Sequence, residues 1–344
     1  MARSRAVGLD IGTRSVTITE VVVKKGRRVV QSVEQVELPV GAVREGEIVD
    51  MDAVVATIKR GYASLGLRDK HVHLGVANQR VVVRQVNLPY LPDDELRQSL
   101  PFQVQEFIPI PVEAAELDYH TLEEVTDAQG RRTLRVLLVA AQKDMISAHV
   151  GAVTKAGLKP VGVDLNPFAL LRALATESLG DTSEVFIDIG AGVTSVVVHQ
   201  AGVPLFVRIL VLGGDDITAS VASAEDIGFA DAELRKRSLG ATGTDPTSLI
   251  ILERVHQFAD EIRSSLDYFR AQTGVGRVDR VVLAGGGSVL VGLREQLMDA
   301  LGLNVEIARP FDFVDHSLDV DEETLVAWGP VLATSIGLAL GGLE

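Results

Sequence analysis

The chain of 344 residues contains no cysteine. That excludes disulfides, thiol nucleophiles and cysteine-ligated zinc or iron–sulfur centres. Aromatic residues make up only 4%, so a core must come from aliphatic layers rather than from a few large rings. No run reaches the roughly 18 consecutive apolar residues of a membrane-spanning helix. Arg3 and Arg5 precede an apolar run, but Asp10 interrupts it before it attains signal-peptide length. Histidines number seven, and His71 and His73 stand two apart outside any His-Glu-x-x-His frame, which argues against a histidine metal site. A basic stripe with interleaved aromatics is missing too. The net charge of −14 repels phosphodiester backbones and would suit a basic partner. The expectation is a cytoplasmic protein, without nucleic acid, that meets a membrane only through another protein.

What is present is 47% hydrophobic residues, rich in Val, Ala and Leu, with 32 glycines. This composition and length suggest about two α/β domains. One stretch recurs. Arg5-Ala-Val-Gly-Leu-Asp-Ile-Gly-Thr-Arg-Ser-Val-Thr-Ile returns 178 residues later, at Asp188, as Glu184-Val-Phe-Ile-Asp-Ile-Gly-Ala-Gly-Val-Thr-Ser-Val-Val. Each copy is an apolar run ending at an aspartate, a glycine turn with hydroxyls, and a second β-branched run, which predicts a strand-turn-strand. Glycine lets successive N–H groups approach a phosphate, and an aspartate at the strand end suits a hydrated Mg²⁺. A single such turn is an ordinary hairpin. Two in one chain suggest related halves, each offering a phosphate loop to a shared nucleotide.

The rest of the chain alternates in keeping with that. Strands are expected at 6–9, 15–23, 29–37 and 71–77, with a helix over Met51–Leu65 capped by Asp50 or Asp52. From Val81 the texture changes. A strand leads into a helix whose apolar face is Leu96, Leu100, Val104 and Phe107, divided or kinked at Pro101. Two further strands, 117–122 and 134–141, complete what reads as a small inserted α+β subdomain. A helix over 144–156 ends at Gly157. Pro160–Leu171 is a strand running directly into a helix with Pro167 in its first turn, and 176–182 is a bridge. Gly213 and Gly214 precede a helix, as a hinge or a tight turn. Helices fill 215–274, the longest carrying the stripe Leu249, Leu252, Val255, Ala259, Ile262, Leu266 and Phe269. Finally Ala284-Gly-Gly-Gly-Ser288 follows a buried strand and opens a helix, where glycines let a flat base lie on the backbone.

In this order, the two Asp-Ile-Gly loops, Gly213-Gly214 and Ala284–Ser288 resemble the actin-like ATPase superfamily over the whole length. Within it the chain is most similar to the PilM-type family of type IV pilus assembly proteins, on Leu100-Pro-Phe-Gln-Val-Gln-Glu-Phe-Ile-Pro-Ile-Pro-Val112, Asp118-Tyr119, Val163-Asp-Leu-Asn-Pro-Phe-Ala-Leu170 and Ala333-Thr-Ser-Ile-Gly-Leu-Ala-Leu340. The resemblance implies duplicated, ribonuclease H-like halves around a nucleotide cleft. It divides the chain into 1–80 and 144–181 (first half, subdomain 1A), 81–143 (inserted subdomain 1C, shared with the cell-division protein FtsA), 182–214 and 275–344 (subdomain 2A), and 215–274 (subdomain 2B).

The resemblance also implies ATP with Mg²⁺. Asp10, Gly12, Thr13 and Ser15 would form the first phosphate loop, and Asp188, Gly190, Gly192 and Thr194 the second. Asp10 and Asp188 would act on the metal through water. Gly213 and Gly214 would border the nucleotide, Gly285, Gly286 and Gly287 would flank the adenosine, and Arg263 would border the base. Many superfamily members carry a glutamate before the proline of the connecting helix to orient the attacking water. Here Asn166 stands there, with Asp164 two residues earlier. An amide orients water but cannot take its proton, so slow hydrolysis is expected. The implied partner is the cytoplasmic N-terminal peptide of the inner-membrane protein PilN, docked beside 81–143; other platform or motor proteins and self-association stay open. Two alternatives are an FtsA-like division protein, which would end in a basic amphipathic anchor that 310–344 lacks, and a sugar-kinase-like phosphotransferase. The run Val331–Leu343 is expected to pack on the second half.

Overall fold

The structure is a computed structural model and describes residues 4–126, 129–175, 183–273 and 277–343. The bridge expected at 176–182 lies outside the described residues. The chain opens with β1 (Arg5–Ile11), β2 (Ser15–Lys24) and β3 (Arg27–Glu37), a small hairpin of β4 (Val43–Arg44) and β5 (Glu47–Ile48), then α1 (Met51–Leu65) and β6 (His71–Val76). Of the two candidate caps for α1, Asp50 is the one used, accepting from the Ala53 N–H at 3.0 Å. The insert follows as β7 (Val81–Pro89), α2 (Asp93–Gln103), β8 (Ala115–Thr126) and β9 (Arg132–Gln142). Then come α3 (Lys143–Lys155), β10 (Lys159–Leu165) and α4 (Asn166–Leu174).

The second half repeats the plan with β11 (Ser183–Ile189), β12 (Thr194–Gln200) and β13 (Val203–Leu210), the helices α5 (Gly214–Glu225), α6 (Phe229–Leu239) and α7 (Pro246–Thr273), and then β14 (Arg280–Ala284), α8 (Leu293–Leu301), β15 (Asn304–Ile307), β16 (Asp315–His316) and α9 (Glu322–Gly341). The first sheet runs β10-β6-β1-β2-β3-β16 and the second β15-β14-β11-β12-β13. In both, three antiparallel strands continue into two parallel ones through the first strand of the set. The sequence repeat is therefore a repeat of topology. The insert is a separate three-stranded sheet, β7-β9-β8, with α2 over it.

Each half has an aliphatic core, α1 and α3 on the first sheet and α5, α7 and α8 on the second. A third core lies between the sheets, where α4 and α9 join Ala6, Val21 and Val30 to Phe186, Val197 and Val282. By length and composition α9 is apolar enough to span a bilayer, although no run of that length is unbroken; here it is mostly buried. It packs on both halves and not on the second alone. The small residues of its run permit this. A Cβ on Gly337 would stand 1.7 Å from the Ala169 carbonyl oxygen of α4, and one on Gly8 of β1 would stand 2.3 Å from the Ser335 carbonyl oxygen.

Three expectations are corrected. The α2 helix runs through Pro101 and ends at Gln103, one turn short of Phe107, with the Val104 N–H closing its last turn on the Leu100 carbonyl; Leu96, Leu100 and Val104 are buried and Phe107 is not. On α7, Leu249 is 52% exposed, and Ile251 and Phe258 take the buried stripe with Val255, Ile262, Leu266 and Phe269. The glycines at 285–287 open a 3₁₀ turn (Gly286–Val289), and α8 starts only at Leu293.

Candidate functional site

The two repeated turns close in the same way. Gly12 N–H donates to the Ser15 carbonyl and Gly190 N–H to the Val193 carbonyl, both at 2.9 Å. A Cβ on Gly190 would stand 2.7 Å from that carbonyl oxygen, which no side chain tolerates. The turns face each other: a Cβ on Gly192 would be 3.0 Å from the Thr13 hydroxyl. Asp10 and Asp188 end the strands beneath them. Burial, and then the charge of Asp188, push the Asp10 carboxyl up to about 6. Burial also raises Asp188, against a 2.6 Å hydrogen bond that Thr334 of α9 donates to it. A charge on Asp188 opposes ionisation of Asp10.

Asn166, the first residue of α4, donates from Nδ2 to Asp10 Oδ1 at 3.0 Å. Its own Oδ1 is buried and unpaired. Gly75 makes room for it, since a Cβ there would stand 2.3 Å from that oxygen. Register explains the meeting: Asp10 of β1 and Asp164 of β10 both pair with Gly75 on β6, and Asn166 follows two residues after Asp164. Asp164 itself is drawn aside, bonding Arg172 at 2.9 Å and the Leu165 N–H at 2.8 Å.

The third glycine segment lies against Asp188. Gly285 has φ +81, and a Cβ there would stand 2.3 Å from Asp188 Oδ1; one on Gly287 would meet Ile189. Gly286 borders open space. On the other side, Gly214 N–H donates to the Gly190 carbonyl at 3.0 Å and Asp215 N–H to the Ala191 carbonyl at 2.7 Å. A Cβ on Gly213 would stand 2.4 Å from the Ala191 carbonyl oxygen, so close approach rather than dihedral freedom dictates that glycine. Gly213-Gly214 is thus a tight turn fastened to the second loop.

Several residues at this site were not singled out from sequence. Arg14 bridges from the first loop to Asp215 at 2.9 Å and lies 4.4 Å over the Phe229 ring, linking the halves. Behind the Gly-Gly turn, buried Lys236 donates to the Gly214 carbonyl at 3.0 Å and the Thr218 hydroxyl at 2.9 Å and pairs with Glu233 at 2.6 Å. Burial opposes the Glu233 charge, but the bonds from Lys236 and Thr218 outweigh it and hold its carboxyl at about 2. Thr334 is the third. The i, i+3 spacing of Glu233 and Lys236 on a helix was the available signal, and it resembles any solvated face.

Not every expected residue converges. Thr194 is buried and its hydroxyl is committed to the Leu212 carbonyl at 2.7 Å. Ser15 accepts from Gln35 at 3.1 Å. Arg263 is not at the Gly285–Gly287 turn: its guanidinium binds the Ala300 carbonyl, at the far end of α8, at 2.6 and 3.2 Å. That end is about 12 Å from the start of the helix at 1.5 Å per residue, so the geometry gives Arg263 no place beside a base held there.

The arrangement fits a hydrated divalent cation. Two desolvated carboxylates repel each other, and neither has a cationic partner among the described residues. No group of three His, Asp or Glu among the described residues could cage a metal. Further ligands would be water or phosphate oxygens, as Mg²⁺ prefers.

Comparison with known proteins agrees with the fold. The family described as type IV pilus assembly protein PilM matches residues 8–343. FtsA of Bacillus subtilis is 24% identical over 88% of this chain and 78% of its own length, and FtsA of Streptococcus pneumoniae is 24% identical over 88% and 75%. Among solved structures, a PilM-PilN type IV pilus biogenesis complex superposes with TM-score 0.89 at 30% identity, over 98% of each chain. MreB5 of Spiroplasma citri bound to ADP superposes with TM-score 0.52 at 13% identity, over 97% of this chain and 94% of that one, a likeness of fold.

Proposed function

The chain belongs to the type IV pilus assembly protein PilM family, and from that premise we propose that it binds ATP with Mg²⁺ between its halves and uses the nucleotide to govern its hold on PilN. The observation that carries this reading is the meeting of two equivalent Asp-Ile-Gly turns over a pair of mutually repelling carboxylates. When bound, Mg²⁺ supplies the positive charge that this pair lacks. The chain's own residues do the remainder. Backbone N–H groups of the two turns cradle phosphate oxygens. Arg14 and Asp215 span the halves, so separating or closing them makes or breaks an ion pair. The turn at Gly285–Gly287, with Gly286 facing open space, leaves the backbone bare for a flat group.

Hydrolysis is slow in this reading. Asn166 has an unpaired Oδ1 beside Asp10, so it can accept a hydrogen bond from water, but it cannot remove a proton. Asp164 is held by Arg172 and is not free to be a base. The same bond weighs against a sugar-kinase-like phosphotransferase. The solved PilM–PilN complex supports PilN as the partner, with its N-terminal peptide beside the 81–143 insert, where Phe102 is 85% exposed and Tyr90 and Phe107 are also at the surface. The protein would then sit in the cytoplasm, held at the inner membrane by that contact.

The test is a thermal-stability titration with ATP, ADP and Mg²⁺, with and without the PilN N-terminal peptide. Nucleotide and peptide should each raise the other's affinity, and by linkage the factors must be equal. Independent shifts would sink the regulation; no stabilisation by ATP with Mg²⁺ would sink the cleft assignment. A pull-down in which a chain lacking 81–143 still captures PilN would remove the placement of the peptide.

A further inference from the structure

The insert and the second half meet along a groove that the nucleotide cleft does not use. It encloses about 370 Å³ between β7 and β9 of the insert, β13, and the last turns of α7, with Val83, Leu137, Leu205 and Phe206 among its walls. Both β7 and β13 are edge strands of their sheets, and no backbone hydrogen bond joins them among the described residues. Leu205 is the extra residue of a β-bulge, opposite no residue of β12. Its carbonyl turns outward and accepts from the Gln85 side chain at 2.7 Å. Two open strand edges over an apolar floor are the elements that extended peptides use: main-chain bonds for affinity, and alternate side chains for pockets.

Charge says which peptide. Arg84 and Arg208 line the groove and, among the described residues, no aspartate or glutamate does, in a chain of net charge −14. Among the described residues Arg84 has one side-chain hydrogen bond, to the Phe107 carbonyl at 3.3 Å. Arg208 is half-buried and has no ion pair or side-chain hydrogen bond among the described residues. A guanidinium kept out of bulk water without a partner is costly, and a carboxylate matches its two-pronged donor geometry. Tyr268, 50% exposed on α7, adds an aromatic wall.

We propose that this groove binds an extended peptide segment in which acidic and apolar residues alternate, its carboxylates on Arg84 and Arg208 and its backbone on the open edge of β13. The site adjoins the surface assigned above to PilN, through the bond from Arg84 to the Phe107 carbonyl, but differs from it in the charge it would take, since that surface suits a basic peptide, and it does not depend on nucleotide binding. Because one wall belongs to the insert and the other to the second half, an occupant would tie the two together.

The probe is a fluorescein-labelled (Val-Glu)₃ peptide, titrated by anisotropy into the full chain beside (Val-Lys)₃ and free glutarate. Binding of (Val-Glu)₃ alone is expected, weakened about tenfold by Arg84→Ala or Arg208→Ala and partly retained by Arg208→Lys. Hydrogen exchange should show new protection confined to 81–89 and 203–210, which a misfolded variant would not mimic. Failure of (Val-Glu)₃ to bind at millimolar concentration, equal binding of (Val-Lys)₃, insensitivity to both arginine variants, or protection elsewhere would each overturn the proposal. Glutarate binding as tightly as the peptide would also overturn it, since the strand edge would then contribute nothing.

Discussion

Replacing Asp10 by Asn should make the protein more stable and less useful. At pH 7.5 the Asp10 carboxyl is ionised in the folded and unfolded chain alike, but folding lifts its pKa from 3.8 to about 6. A tenfold change in proton affinity is worth about 1.4 kcal/mol, so holding the ionised form in the fold costs about 3 kcal/mol. The sign follows from the direction. A raised pKa favours the fold below about pH 4, where the carboxyl is protonated in both states, and that advantage is lost as pH climbs from about 4 through about 6. Asparagine keeps an oxygen for the Asn166 donor bond and carries no charge. Asp10→Asn should therefore exceed the parent at pH 7.5 by up to about 3 kcal/mol, or about 5 °C in melting temperature for a chain of this size, and match it near pH 4. Stabilisation by Mg²⁺ with ATP should fall in the same variant. Melts from pH 4 to 8, with and without both ligands, decide it. A variant less stable than the parent at pH 7.5, or an offset that ignores pH, would refute the account of two repelling carboxylates.

Asn166→Glu should raise phosphate release from ATP by about 100-fold, by adding the base that the site lacks, whereas Asn166→Ala should leave nucleotide affinity within a few-fold; fast turnover in the parent that Asn166→Ala abolishes would contradict slow hydrolysis. Arg14→Ala and Asp215→Asn should show a coupling of about 0.5–1 kcal/mol in a double-mutant cycle by urea unfolding, modest because both side chains are about one-quarter exposed (26% and 25%). Zero coupling would mean that the bridge does not join the halves. Gly337→Ala should cost about 3 kcal/mol or more by overpacking, since the new methyl would overlap the Ala169 carbonyl; a variant that melts with the parent would show that α9 is free to shift.

Much of the site could be read from sequence because it is duplicated. Asp10 and Asp188 stand out only against each other, and the matching strand order of the two sheets is the physical content of that likeness. Arg14 had no such counterpart: Gly192 holds the equivalent place in the second turn, so nothing in the repeat marked it. Its role arises from Asp215, 201 residues away, and only tertiary structure brings them together. Arg263 failed for the opposite reason. Helical periodicity correctly put it off the buried stripe of α7, but periodicity does not say which neighbour an exposed side chain will reach. Asp164 looked like a spare carboxylate because Arg172 lies eight residues on, across the strand-to-helix turn. At Phe107 the apolar spacing ran on past the end of α2 at Gln103, because an apolar residue at helical spacing does not require that the backbone there be helical.

The place of α9 also sets a timetable. The inner faces of β1 and β2 are closed by a helix that begins about 300 residues after them, at Glu322. At about 5–20 residues per second of synthesis, the first sheet waits roughly 15–60 s with that face uncovered. Strands made first are thus completed late, and a newborn chain is exposed to aggregation or chaperone capture throughout that interval. A nonsense change near Asp321 would be felt in the folding of residues 5–24, at the opposite end of the chain.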